Sequence, residues 1–106
     1  MNKKYELTDE IINYNNRKLY KIKALKDFSD VKKGDLGGYV ENENNLSQDG
    51  YCWIYNNAKV YDDAKVYDNA RVYDNAVIFD DAKVYDYAKV FGNAKIYGHA
   101  VISGYA

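Results

Sequence analysis

From Cys52 to Tyr105 the chain repeats every six residues in one unbroken register. The nine hexads read CWIYNN, AKVYDD, AKVYDN, ARVYDN, AVIFDD, AKVYDY, AKVFGN, AKIYGH and AVISGY. Slot one is Ala in eight of the nine, and slot three is always Val or Ile. Slot four is Tyr or Phe except at Ser103. Slots five and six are Asp, Asn or Gly, apart from Tyr87, His99 and Tyr105 in slot six. A fixed period of this kind is the signature of a solenoid. Slots one to four alternate small or β-branched residues with Lys and Tyr, the period-two pattern of a strand with one face inward. Slots five and six tolerate the left-handed backbone that a sharp corner needs. Four strand residues and a two-residue corner wind into a three-sided prism of three hexads per coil. Each strand then pairs with the one 18 residues later, with coils about 4.8 Å apart. A helix does not fit, because a spacing of six does not follow a 3.6-residue period and Val, Tyr, Asp and Asn are poor helix formers.

The register extends backwards. Gly38–Glu43 fits a hexad, with Gly38 in the small slot and Val40 in the core slot. Asn44 and Asn45 read as an insertion, and Leu46–Tyr51 as a degenerate hexad that completes a first coil with residues 52–57. The solenoid is therefore expected to have nearly four coils, at 38–57, 58–75, 76–93 and 94–106. Before it, Arg17–Leu25 alternates like a strand, Tyr5–Leu7 suggests another, and Asn13–Asn16 is turn-like. Solenoids need capped ends, so residues 1–37 are assigned as an N-terminal β cap and 38–106 as the β-helix. The fold class is all-β.

Bulk properties exclude several alternatives. The formal charge is −1, which argues against a global polyanion- or polycation-binding surface. The lone cysteine, Cys52, has no partner for a disulfide and falls in an inward slot, where an inert thiol is expected. No apolar run is long enough to cross a membrane, and Met1–Glu6 lacks the apolar stretch of a signal peptide. A cytoplasmic location is expected.

These hexads resemble the hexapeptide-repeat, left-handed parallel β-helix superfamily. Within it, Ile22–Phe28, Gly34–Glu41 and Asn45–Ser47 resemble the leader of a bacterial and phage group whose members are loosely labelled transferases. Left-handed winding is implied by this resemblance alone, since crossovers between parallel strands are ordinarily right-handed.

The better-known members are acyltransferases with a catalytic His, a protruding loop and a C-terminal helix. Here the single histidine, His99, stands where other hexads carry Asn or Asp, and is read as a turn residue. No nucleophile–base set, carboxylate pair or phosphate loop stands out. Corner aspartates Asp62, Asp63, Asp80 and Asp81 recur at 18-residue spacing and are read as solvated corners rather than a cation site. The expectation is no enzyme, no catalytic residues, no metal and no cofactor.

Stacking turns single residues into ladders. One face aligns Trp53, Arg71 and Lys89 beside Tyr55, Tyr73 and Phe91, the most aromatic and cationic of the three. Tyr, Trp and Arg are enriched at interface hot spots, so this face is the candidate binding surface. Residues 38–106 hold six basic and ten acidic residues, a poor nucleic-acid footprint, so another protein is the favoured partner. Charge disappears after Lys95, where Ile96, His99, Val101, Ile102, Ser103 and Tyr105 form an apolar end. A homodimer through this last coil is expected, with a side-by-side trimer through the aromatic faces as the alternative. The sequence reads as a non-catalytic binding or scaffold protein, of phage or mobile-element origin, that inhibits a host factor. The alternatives are a small acyl- or nucleotidyl-transferase and a nucleotide-sequestering protein.

Overall fold

A computed structural model describes residues 3–105; Met1, Asn2 and Ala106 of the expected cap and last coil lie outside the described residues. The chain is a parallel β-solenoid of about four triangular turns with an antiparallel hairpin at its start. The hairpin strands are β1 (Tyr5–Tyr14) and β2 (Arg17–Ala24). Their turn residues Asn15 and Asn16 sit at φ 49° and 64°, the left-handed pair that matches strand twist in a two-residue hairpin. β3 (Leu36–Val40) pairs antiparallel with β2 and parallel with the first regular coil, joining cap and solenoid into one sheet.

Nine short strands follow: β4 (Trp53–Ile54), β5 (Lys59–Val60), β6 (Lys65–Val66), β7 (Arg71–Val72), β8 (Val77–Ile78), β9 (Lys83–Val84), β10 (Lys89–Val90), β11 (Lys95–Ile96) and β12 (Val101–Ile102). They stack as three faces: β3-β5-β8-β11, β6-β9-β12 and β4-β7-β10. Partners are 18 residues apart, as in Lys59↔Val77 and Val66↔Val84. The N–H groups of Lys59, Tyr61 and Asp63 donate to the carbonyls of Ala76, Ile78 and Asp80 one coil on, and this pattern recurs up the stack.

The inward slots are dry. Slot-one alanines from Ala58 to Ala88 and slot-three residues from Ile54 to Ile78 are almost wholly buried. Gly38 occupies the small slot because nothing larger fits: a Cβ there would lie 2.4 Å from the Ala58 carbonyl oxygen. All nine slot-five residues, from Asn56 to Gly104, have φ between 58° and 69°. Asp and Asn tolerate this region because their short polar side chains can bond locally. Here they do so between coils. The carboxylates of Asp62, Asp68, Asp74, Asp80 and Asp86 each accept the N–H of the corner residue 18 positions later, at 3.0–3.2 Å. The corner aspartates are thus more than solvated turns, because they link successive coils.

The register before Cys52 differs from the expected one. Leu46 bridges Val66, and the Ser47 N–H donates to the Val66 carbonyl. Leu46 therefore fills slot three rather than slot one. Gly50 takes the left-handed corner place below Asp68, with φ 71°. The two extra residues are Gln48 and Asp49, not Asn44 and Asn45. Asn45 is instead built in, wholly buried at a 3-10 turn (Glu43–Asn45). Its amide donates to the carbonyls of Asp62 and Ala64, and its carbonyl oxygen accepts from the N–H groups of Glu41 and Asn42.

That insertion is where the cap docks. The Gln48 carbonyl oxygen accepts the N–H groups of Lys4 and Tyr5. The Lys4 ammonium is buried and donates to the carbonyls of Asp49, Gly50 and Cys52, at 3.4, 3.3 and 2.8 Å. A four-residue corner leaves extra carbonyls pointing inward, and a buried charge is tolerated only when such groups receive it. Burial nevertheless holds the Lys4 pKa below its ordinary value. Cys52 is buried as expected, but its sulfur lies 3.2 Å from the Lys4 ammonium. Among the described residues no helix is long and apolar enough to cross a membrane.

Candidate functional site

The third face carries the candidate site, and the cap reshapes it. Trp53 was expected on its surface, but only 1% of it is exposed. It lies beneath the cap, edge-on to Tyr5 and Phe28 with ring centroids 6.2 and 5.3 Å away. Slot two faces outward, but at the first coil the outside is covered by the cap's own core. The hairpin tip likewise covers part of the first face, so that Tyr61 and Val77, both in outward slots, are buried against Leu19.

Above Trp53 the third face opens. Arg71 and Lys89 stand in slot two of β7 and β10, paired by register. Along one side run Tyr55, Tyr73 and Phe91; Tyr73 and Phe91 stack at 5.3 Å, 10° from parallel, and Tyr55 meets Tyr73 edge-on. Along the other side run Tyr51, Asn69, Tyr87 and Tyr105, which line a shallow groove with Arg71 and Lys89. Tyr87 and Tyr105 stack at 5.2 Å. This second row comes from slot six, which the sequence reading treated as corners. Its signal was present: Tyr87 and Tyr105 lie 18 residues apart in places held elsewhere by Asp, Asn or His.

The cap closes the lower end. Its 25–35 loop turns at Ser29, a non-glycine at φ 49°. The Ser29 hydroxyl accepts a 2.8 Å hydrogen bond from Arg71, and Asp30 accepts one of 2.8 Å from the Tyr55 hydroxyl. Burial, reinforced by the Asp30 carboxylate, holds the Tyr55 pKa well above the tyrosine range. The result is a cleft of about 250 Å³ lined by Asp30, Tyr55, Asn56, Arg71, Tyr73 and Lys89. Among the described residues neither Arg71 nor Lys89 forms an ion pair; Lys3 pairs with Glu43, and Arg17 with Glu41 and Asp62. An unpaired guanidinium with several donors still available suits a carboxylate or phosphate. Planar rings on either side suit flat groups.

His99 lies elsewhere, on a corner beside the first and second faces. Its Nδ1 is 3.7 Å from a carboxylate oxygen of Asp81, and both side chains are largely exposed. They border an acidic groove lined also by Arg17, Glu41, Asp62, Asp63 and Asp80. Among the described residues no three His, Cys, Asp or Glu side chains group closely enough to hold a metal ion. The residues expected at an oligomer interface all fall in the last coil. Ile96, Ile102 and Ser103 are half-buried, while His99, Val101 and Tyr105 are exposed.

No family profile matches the chain. Among curated proteins it is 43% identical over 42 residues to a protein of Escherichia coli (strain K12) named "Uncharacterized acetyltransferase YdcK". The match covers 40% of this chain and 13% of that protein, so the chain spans a small part of its relative's length. This overturns the expectation that the chain is not an enzyme, because a relative carries the name of a group-transfer catalyst.

Proposed function

We propose that this chain, which its hexads, its solenoid and its relative set in the hexapeptide-repeat, left-handed β-helix superfamily, is a rigid binding protein. Its third face receives an acidic segment of another protein. One observation carries this reading: Arg71 and Lys89 stand without carboxylate partners between two rows of aromatic rings. The rings supply rigid apolar area and the two cations supply orientation. Repeating coils hold the face flat. The narrower expectation, a mobile-element protein inhibiting a host factor, draws no support from the fold or from the relative.

Fluorescence titration with a labelled Glu-rich peptide tests the reading, with a Lys-rich peptide and a short single-stranded oligonucleotide alongside. Tight, salt-sensitive binding of the Glu-rich peptide is expected. The Arg71→Glu/Lys89→Glu double variant should weaken it at least about tenfold, or 1.4 kcal/mol. Equal binding of all three probes, or preference for the oligonucleotide, rejects an acidic protein partner.

A second reading, acetyl transfer, is favoured by the name of the relative. His99, 3.7 Å from a carboxylate oxygen of Asp81, is an imidazole that could take a proton from an acceptor as a general base. Acetyl-thioester turnover that disappears in His99→Ala and survives Arg71→Glu would establish it.

A further inference from the structure

Slot six sets one corner of the solenoid apart from the other two. One corner holds Asn57, Asn75 and Asn93 there, and another holds Asp63, Asp81 and His99. The third holds Tyr51, Asn69, Tyr87 and Tyr105. The N–H groups of Tyr51, Asn69 and Tyr87 donate to the carbonyls of Asp68, Asp86 and Gly104 one coil on, so these positions stand in one column. The coil does not need rings here. Tyr51 and Tyr87 are more than half exposed, and the other two corners keep the same left-handed turn with polar residues in slot six.

The column lacks one rung. Tyr87 and Tyr105, one coil apart, stack with centroids 5.2 Å apart and planes 5° from parallel. Tyr51 and Tyr87 are two coils apart, with the short side chain of Asn69 between them in the same groove. Two coil spacings come to about 9.6 Å. A ring midway would lie about 4.8 Å from each neighbour, within the range of roughly 4.5–7 Å that aromatic pairs prefer. It would sit between Tyr51 and Tyr87 as Tyr105 sits on Tyr87. The floor of the gap is polar. The Asn69 carboxamide oxygen accepts the Tyr51 N–H at 3.2 Å, which leaves the donors of its NH2 group for a ligand.

Arg71 stands beside the gap on the same coil. Asn69 and Arg71 are partly exposed while Ala70 is buried, so the two side chains share the outer surface. In extended chain such neighbours are about 6.6 Å apart. Arg71 donates to the Ser29 hydroxyl and has no carboxylate partner, so its guanidinium keeps donors for an acid. An extended peptide sets alternate side chains on one face at the same spacing. A peptide ring in the gap therefore brings an acidic side chain two positions away to Arg71. Nucleic acid, with a phosphate at every unit, would instead meet a solenoid that holds six basic and ten acidic residues.

We propose that this gap is an aromatic subsite: a Trp, Tyr or Phe side chain of the partner segment enters between Tyr51 and Tyr87 over Asn69, and an acidic side chain two positions along pairs with Arg71. Such a subsite rests on the docking of an acidic segment proposed above, and adds the residue type that orients it.

Two labelled Glu-rich peptides, identical except for Trp or Leu at one central position, separate the two claims by fluorescence anisotropy. The Trp peptide should bind about tenfold more tightly than the Leu peptide. Asn69→Tyr supplies the missing rung from the protein itself and should remove that advantage. It should keep the wild-type circular dichroism, because Tyr already occupies the same column on the coils to either side. Tyr51→Leu, which opens the gap on one side, should reduce the advantage, and Lys65→Ser on the second face should leave it unchanged. Equal affinity for the two peptides overturns the subsite while the acidic-segment reading stands, as does an advantage that survives Asn69→Tyr. Failure of both peptides to bind overturns both. A single-stranded oligonucleotide that binds more tightly than the Trp peptide, and loses its binding in Asn69→Tyr, assigns the gap to a base and overturns the proposal.

Discussion

The two ends of this solenoid are made from the same repeat and packed in opposite ways. At the lower end, a hairpin, an irregular loop and a two-residue insertion close over Trp53, which is sealed together with Tyr5, Ile22, Leu46 and Ile54. At the upper end the hexads stay regular, yet Ala94, Ile96, Ala100 and Ile102 are only partly covered. In a stack, a residue is buried by the coil above and the coil below. Regular hexads therefore guarantee burial only in the middle. Sealing the lower end takes departures from the repeat, which are the cap and the two extra residues Gln48 and Asp49.

The largest expected effect contrasts the two ends directly. Trp53→Ala should cost about 3–5 kcal/mol, the range for deleting a large aromatic from a packed core. Ile102→Ala should cost well under half of that, because its site is half open. Urea midpoints of the two variants check the contrast, and equal losses would show that the upper end is as tightly closed as the lower.

Alkaline titration separates the ends by pH. Tyr5 is buried beneath the cap, its hydroxyl donating to the carbonyls of Glu43 and Leu46. Burial, with the Glu43 charge, raises its pKa well above the ordinary tyrosine value of about 10. The folded state thus holds this proton more tightly than the unfolded chain. The corresponding stability is complete below pH 10 and is lost as pH rises beyond it. Lys4 has the opposite sign: its lowered pKa means that stability is regained as pH climbs toward 10.5. Thermal melts should show a decline above pH 10 that is shallower in Tyr5→Phe, and a Tyr5→Phe decline as steep as the wild type would place its source outside the cap.

A smaller effect tests the corners. Asp74 combines a left-handed backbone with a carboxylate bond to Gly92. Asp74→Ala loses the bond and strains the backbone, and should cost about 1–2 kcal/mol. Asp74→Gly loses the bond alone and should cost less. Smallest of all is Lys65→Glu, on an exposed slot between the ends, which should stay within about 0.5 kcal/mol of wild type.

The solenoid was legible because its physics is local. Ala in slot one and Val or Ile in slot three can point only inward if Lys and Tyr are to stay wet, and Asp or Asn in slot five suits the corner. The cap was legible only in outline. Nothing in the sequence around Tyr5 announces that it closes on Trp53, a contact made across 48 residues. The insertion was misplaced because Asn44 and Asn45 look like turn residues, while Gln48 and Asp49 reveal their role only through bonds to the cap. The candidate site was half legible. Arg71, Lys89, Tyr55, Tyr73 and Phe91 follow from ladder arithmetic, whereas Ser29 and Asp30 come from a loop whose path the repeat does not set.

Hexads 58–63 and 64–69 are nearly identical, AKVYDD and AKVYDN. Wound one hexad out of phase, the chain would bury the same alanines and valines and form the same ladders, so the middle of the stack holds little information about where a coil should start. That information lies in Trp53, Leu46 and the bonds from Gln48 and Lys4 that admit a single cap position. Folding should therefore be directional: the cap sets the phase and each coil templates the next. A chain from which residues 3–37 had been removed would still find collapse favourable, but would spread over several winding phases and refold slowly between them.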